Sequence, residues 1–449
     1  MTTETTTPLG RDLHRPAATR ADVVAATIAL LLVVAAVVTA LAVPTVTGVP
    51  SARVAAPLFA RWLPHIGPGT PVVLLIAAAV IWHGPALAAR LRWRGLLGVA
   101  YVAAVAWTVA LALVDGWARG FAGRLTTAHE YLAEVPGVTD VPATLGGFTA
   151  RILDFQPDSW TTHVAGHPPG ALLVFVGLDR IGLGGGGWAA LVCVLVGASV
   201  AVSVPVTIRL LGGDGAARAA VPFLVLFPGA VWIGVSADGL FTGVTAAGIA
   251  VLAASTTRDG VAGTVLASLA GLVLGFGCYL SYGLVLMALP ALAVLVAARR
   301  LAPLLWAVAG AATVVAAFTF AGFWWLDGYH TLVDRYYQGI ASDRPYRYWV
   351  WANLACLTLS AGPAMAPVLR RLAVSRFPGH LVLPGAAAVA IVVADLSGMS
   401  KAEVERIWLP FAVWLPAAAA LLPAGTRRGW LAVQALTAVA VNHLLLTVW

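Results

Sequence analysis

Apolar runs of about 20 residues, each long enough to cross a bilayer, recur along this chain from residue 22 to residue 447. No other feature restricts its fold as strongly. In hydrocarbon every backbone N–H and C=O must be satisfied within the protein, so such runs become helices. The rest of the composition agrees. Of 449 residues, 60% are hydrophobic and only 10% charged, where a soluble domain is about a quarter charged. A cytosolic multidomain enzyme is thereby excluded. The formal charge of +8 is spread over many short loops, without the basic stripe that nucleic-acid binding needs. Cys193, Cys278 and Cys356 all lie inside apolar runs and far apart, which reads as small buried core residues and not as a disulfide framework or a zinc site.

The few charges assign the topology. Residues 1–20 are polar and carry Arg11, Arg15 and Arg20, and the first apolar run follows directly as a full span. It reads as a retained helix, not a cleaved signal peptide, with the N-terminal tail in the cytoplasm of a plasma-membrane protein. Spans near 22–48, 71–89 and 96–114, with Arg90, Arg92 and Arg94 between the last two, put a long polar segment, 115–186, outside. The apolar stretch 168–183 is short and carries Asp179 and Arg180. Counting it as a span would throw every later basic loop outside. As a juxtamembrane or re-entrant segment, it leaves Arg209/Arg218, Arg258, Arg299/Arg300, Arg370/Arg371/Arg376 and Arg427/Arg428 in the cytoplasm, as the positive-inside rule requires. Further spans near 187–208, 219–235, 239–256, 261–279, 281–298, 302–324, 348–366, 378–397, 407–423 and 429–447 bring the expected total to roughly thirteen. The expected fold is therefore all-α and polytopic. It comprises a cytoplasmic tail (1–20) and one transmembrane domain (21–449) whose large external loop is 115–186.

This topology sorts the acids by face. Glu4, Asp12, Asp22, Asp214 and Asp259 fall inside, and most of the others, from Asp115 to Glu405, fall outside. A site on the outer face works where ATP and nucleotide sugars are not normally supplied. Four segments meet there. The external loop brings Asp115-Gly116-Trp117 and His129-Glu130-Tyr131-Leu132. An acid at a helix end by the membrane surface is half desolvated and suits a general base, or it is simply a solvated loop acid. Next comes Thr161-Thr162-His163-Val164-Ala165-Gly166-His167-Pro168-Pro169-Gly170, where the prolines suit a helix start. Its two histidines fit a polar contact to substrate or to a catalytic acid, or plain packing, better than a metal pair lacking a third ligand. The third is Ser236-Ala237-Asp238-Gly239, an ionisable residue at a span's edge that is either paired or a helix cap. The fourth comprises two basic patches, 325–349 with Tyr329, Arg335, Arg344 and Tyr346, and 400–408 with Lys401 (the only lysine), Glu405 and Arg406. Their aromatics also suit an interfacial belt, but the cations stand where positive-inside bias disfavours them. Arginines suit phosphate through bidentate contacts, and a lipid phosphate would sit at this depth.

At these residues the chain resembles the GT-C superfamily of membrane glycosyltransferases, such as protein O-mannosyltransferases and lipid A aminoarabinose transferases. The likeness rests on an acid at the first large external loop (Asp115), a Pro-Pro motif starting the next element (Gly166-His167-Pro168-Pro169-Gly170) and a Ser-x-Asp at a later outer helix end (Ser236-Ala237-Asp238). Actinobacterial integral membrane proteins assigned to this superfamily look similar also at His129-Glu130-Tyr131-Leu132, at Arg344-Pro345-Tyr346 and at 400–408. The ordered motifs span about 115–410. The resemblance implies a polyprenyl-phosphate sugar donor and transfer to a hydroxyl of a cell-envelope glycan, glycolipid or protein, usually with inversion. It casts Asp115 or Glu130 as base and Arg335, Arg344, Lys401 and Arg406 as holders of the donor phosphate. His167 and Asp238 orient donor or base, and His163, Tyr329, Tyr346 and Glu405 line the substrate site. O-mannosyltransferases carry an acidic pair near the start of this loop, whereas Gly116 and Trp117 follow Asp115 here, so both acids stay in play as base. No metal or other cofactor is expected. The alternative from another class is a secondary transporter or lipid-carrier flippase. Such proteins commonly show inverted repeats and midplane charges; here Asp395 is the main intramembrane acid and the rest gather at one face.

Overall fold

The computed structural model describes residues 18–48, 55–375 and 379–447; Arg11, Arg15, Arg376, Glu4 and Asp12 lie outside them. The chain is a multi-pass, all-α membrane protein. Among the described residues, eight helices are long and apolar enough to cross a membrane: Thr19–Ala42, Thr70–Arg90, Trp93–Ala112, Gly186–Leu210, Ala237–Ser255, Gly260–Leu280, Ala302–Phe320 and Gly379–Leu396. A ninth is formed if the pair Tyr346–Ser360 and Met365–Val374, bent by 108°, counts as one span. The expectation of thirteen is therefore reduced. The run 219–235 breaks, with a helix ending at Val225 and a single turn at Ala230–Ile233 around Pro228. Near 407–423 only short turns and 3-10 helix form, and 281–298 begins as 3-10 helix. Arg427–Leu444 carries buried Gln434 and Asn442. Hydropathy registers a buried apolar run whether it is one helix or several turns, and proline breaks turn some runs into the latter.

Close helix contacts explain the small residues. A Cβ on Gly271 would lie 1.9 Å from the Ala307 carbonyl oxygen, and one on Gly310 would lie 2.2 Å from that of Ser268. Helices Gly260–Leu280 and Ala302–Phe320 thus approach backbone to backbone, the usual packing of membrane helices. Pro169 starts the helix Pro169–Arg180, which at twelve residues is too short to span. Gly170 seats it against Gly260–Leu280, since a Cβ there would lie 2.5 Å from the Tyr279 carbonyl oxygen.

One element escaped the helical reading. Strand Ala60–Trp62 pairs antiparallel with Leu445–Thr447, with Ala60 opposite Thr447 and Trp62 opposite Leu445. The ribbon continues as Leu63 and His65 N–H groups donate to the carbonyls of Leu444 and His443. It fastens the first interhelical loop to the chain's last helix, and Arg124 donates to the Thr447 carbonyl at 2.9 Å from across the large loop.

Candidate functional site

The four segments meet in two connected groups. The first is built by the large loop. Short 3-10 turns at Arg124–Thr126 and Tyr131–Ala133 bury Glu130 and Tyr131, and Pro169 starts a helix behind His167. Glu130 Oε2 lies 3.1 Å from His163 Nδ1, both nearly buried. His167 Nδ1 sits 2.8 Å from the Tyr131 hydroxyl and 2.8 Å from the His163 carbonyl. A carbonyl only accepts, so Nδ1 carries the hydrogen and Nε2 is the basic atom. Burial pushes His167 down to about 4 against the pull of Asp238, so it is neutral at pH 7 and acts by hydrogen bonding, not charge. Burial also raises Tyr131, helped by Asp238 and Glu130, keeping the phenol neutral, with its oxygen facing the Nδ1–H of His167.

The second group is a chain of charges. Ser236 settles one alternative by capping the helix Ala237–Ser255, accepting from Gly239 N–H at 3.2 Å. Asp238 is thereby free to pair. It accepts from Arg406 Nη1 at 2.7 Å, and Arg406 Nη2 donates to Glu403 Oε2 at 2.7 Å. Glu403 Oε1 accepts from Arg344 Nη2 at 2.9 Å. Burial alone would raise the Glu403 carboxyl, but Arg344 and Arg406 outweigh it and hold it at about 2. Burial likewise opposes the charge on Arg406, yet Asp238 and Glu403 raise it. Lys401 is buried, with Nζ donating to the Ala341 carbonyl at 2.8 Å and lying 5.0 Å from the Tyr337 ring; burial and Arg344 lower it. Asn353 anchors the segment, donating to Asp395 at 2.8 Å and to the Ser400 carbonyl at 2.7 Å.

Helix Ala237–Ser255 joins the groups. Asp238 sits in its first turn and acts on His167 and Tyr131 through space, and Phe241, one turn on, lies 5.5 Å from the His167 ring. Glu130, His163, His167, Asp238, Arg344, Lys401 and Arg406 are thus brought together. Asp115 makes its own contacts, 3.0 Å from His65 Nε2 and 3.1 Å from Arg119 Nη2. Half-buried Arg124 is within the field of both Asp115 and Glu130, bridging the two acids electrostatically. Arg335 pairs with Asp154 at 2.6 Å, Tyr329 stacks on Trp325 at 5.6 Å, and Tyr346 is exposed. Glu405 turns toward the first loop, accepting from Phe59 N–H at 3.3 Å, and burial pushes it up to about 7. Among the described residues no three of His, Cys, Asp and Glu are grouped to hold a metal ion.

His65, Arg124, Tyr131 and Glu403 are the residues that the sequence reading left without a role. His65 carried a usable signal, since the loop between the first two spans shares the face of Asp115. Glu403 stood within the quoted basic patch, but nothing in sequence shows a carboxylate bridging two arginines 59 and 3 positions away.

A groove of about 590 Å³ lined by Tyr101, Leu195, Ser199, Gly243 and Phe276 lies on apolar helix flanks and holds none of these groups. A smaller one of about 320 Å³ lies beneath the large loop, beside Leu132, Phe175 and Asp179.

No family model matches this sequence, and no curated protein matches it either. Among solved structures, the chain is similar to ArnT from Cupriavidus metallidurans in the apo state, with 17% identity over 71% of this chain and 58% of that one, at a TM-score of 0.45. It is also similar to the Archaeoglobus fulgidus oligosaccharyltransferase in complex with Zn and sulfate, with 12% identity over 77% of this chain and 49% of that one, at a TM-score of 0.44. The chain thus spans about half to three-fifths of the length of these structures.

Proposed function

We propose that this protein is a glycosyltransferase of the outer membrane face, moving a sugar from a polyprenyl-phosphate donor to a hydroxyl of a cell-envelope acceptor. One observation carries the reading: a buried acid–histidine group (Glu130, His163, His167) and a buried cation group (Arg344, Lys401, Arg406) meet at Asp238. Asp115 or Glu130 takes the proton from the acceptor hydroxyl as its oxygen attacks the anomeric carbon. The bond to the phosphate oxygen breaks on the opposite side, giving inversion. The departing phosphate bears negative charge, needs no protonating acid, and is stabilised by fixed cations in a water-poor site, where preorganised charge contributes most. His167 and Asp238 orient the donor or the base, and Arg124 lies between the two acids. Tyr329, Arg335, Tyr346, His163 and Glu405 stay in the proposal as lining residues around the lipid and sugar. The N-terminus lies in the cytoplasm.

Transfer is tested with purified protein, polyprenyl-phosphate mannose or arabinofuranose, and cell-envelope acceptors. Removing the base should cost about 10²–10⁴-fold, so Asp115→Asn and Glu130→Gln identify it by which one loses activity. Full turnover in both variants refutes base catalysis by these acids. Absence of turnover together with donor translocation in vesicles assigns the chain to the flippases.

A further inference from the structure

The two arginines assigned to the donor phosphate already hold an anion supplied by the chain itself. Glu403 gives one oxygen to Arg344 at 2.9 Å and the other to Arg406 at 2.7 Å. A phosphate bridging two guanidiniums uses the same oxygen-to-nitrogen geometry. With Asp238 on the far side of Arg406, these two arginines face two carboxylates and their charges are already matched, leaving Lys401 alone of the cation group outside the pairing. A phosphate arriving with Glu403 in place would meet a buried like charge, which is costly where water is scarce. One of the two carboxylates has to leave.

Backbone conformation distinguishes them. Asp238 stands in the first turn of a nineteen-residue helix whose cap is made, and its position follows that helix. Glu403 follows the bend after the helix ending at Leu396. It is left-handed at φ 63°, directly after Ala402 at φ 70°. Neither is glycine, so each is in a sparsely populated conformation held by its surroundings. Rotation out of it relieves that cost and withdraws the carboxylate.

We infer that Glu403 is a resident stand-in for the donor phosphate: it keeps Arg344 and Arg406 in register, and the phosphate of an isoprenoid-linked donor displaces it. This rests on the donor site proposed above. It adds a competitor that sets donor affinity and keeps other anions from the arginines.

The test is binding of farnesyl phosphate to the detergent-solubilised full chain by titration calorimetry, with farnesol and inorganic phosphate alongside. A site occupied by its own carboxylate nine times in ten has its apparent affinity reduced about tenfold. Glu403→Gln, which keeps the shape and removes the charge, is expected to bind farnesyl phosphate at least about tenfold tighter, while Arg344→Gln loses binding. If Arg344→Gln loses binding and folded Glu403→Gln binds no tighter than wild type, the stand-in role is overturned and the donor site survives. If Arg344→Gln and Arg406→Gln both bind like wild type, the donor site itself is wrong. If inorganic phosphate binds as tightly as farnesyl phosphate and both tighten in Glu403→Gln, displacement of Glu403 is supported and the lipid donor is overturned. Should Glu403→Gln fail to fold, hydrogen exchange of the wild-type protein decides. Amides of 401–406 are expected to exchange faster with farnesyl phosphate bound, and unchanged or slower exchange overturns the inference.

Discussion

Replacing Arg406 tests the charge cluster most directly. Arg406→Met keeps most of the volume but leaves Asp238, 5% exposed, without its partner at 2.7 Å, and leaves Glu403 with Arg344 alone. Removing one member of a buried ion pair costs about 3–5 kcal/mol, mostly because the remaining charge stays buried. Asp238→Asn keeps a hydrogen-bonding group facing Arg406 and should cost about 1–3 kcal/mol. In the double variant the orphaned Asp238 charge is gone, so its cost should fall short of the sum of the singles by about 1–3 kcal/mol. The assay is denaturant unfolding of the detergent-solubilised protein, followed by tryptophan fluorescence, for wild type, both singles and the double. Additivity within about 0.5 kcal/mol would mean that Asp238 and Arg406 do not interact. The buried charge cluster would then not exist in solution.

Two buried groups give opposite pH slopes. Glu405 is raised from 4.5 to about 7, so the stability it contributes is present below pH 4.5 and lost as pH rises through 7. His167 is lowered from 6.5 to about 4, so its contribution is present above pH 6.5 and lost as pH falls through 4. Between pH 4.5 and 6.5 the slopes oppose each other. Melting temperatures should therefore rise with pH in Glu405→Gln and fall with pH in His167→Asn; the same slope in both variants refutes the assignment. Gly69→Ala would put a Cβ 1.9 Å from the Ala110 carbonyl oxygen and push the loop bearing His65 off the end of helix Trp93–Ala112. A melting temperature lowered by several degrees is expected, and an unchanged one counts against this packing. Truncating Thr447 to Ala removes the hydroxyl that Arg124 Nη2 reaches at 2.5 Å and should cost about 1 kcal/mol, read in the same unfolding assay.

Sorting charges by face was legible in sequence, and it anticipates the ion pairs. Asp22 binds Arg370 and Arg371, Asp214 binds Arg209 and Arg218, and Asp259 binds Arg300, all assigned to one face. Asp115 with Arg119, Glu134 with Arg151, Asp154 with Arg335, and Glu403 with Arg344 and Arg406 belong to the other. A charge cannot cheaply cross hydrocarbon to find a partner, so pairing is confined to a face and the sequence reveals it. The helical membrane class and the short helix after Pro168-Pro169 follow from the same local physics, since hydropathy and proline geometry act over a few residues.

Within a face, sequence distance says nothing about neighbours. Only the tertiary structure separates Arg335, taken up by Asp154, from Arg344 and Arg406, which share Glu403. Only it brings His65 to Asp115 through a ribbon between residues 60–62 and 445–447. The number of spans also waited on it, because a buried helix broken by proline and a true span bury similar apolar residues. The sequence by itself determined where charge can reside, since the membrane restricts each residue locally. Which charges meet was left to packing, because burial makes each pairing depend on every element around it.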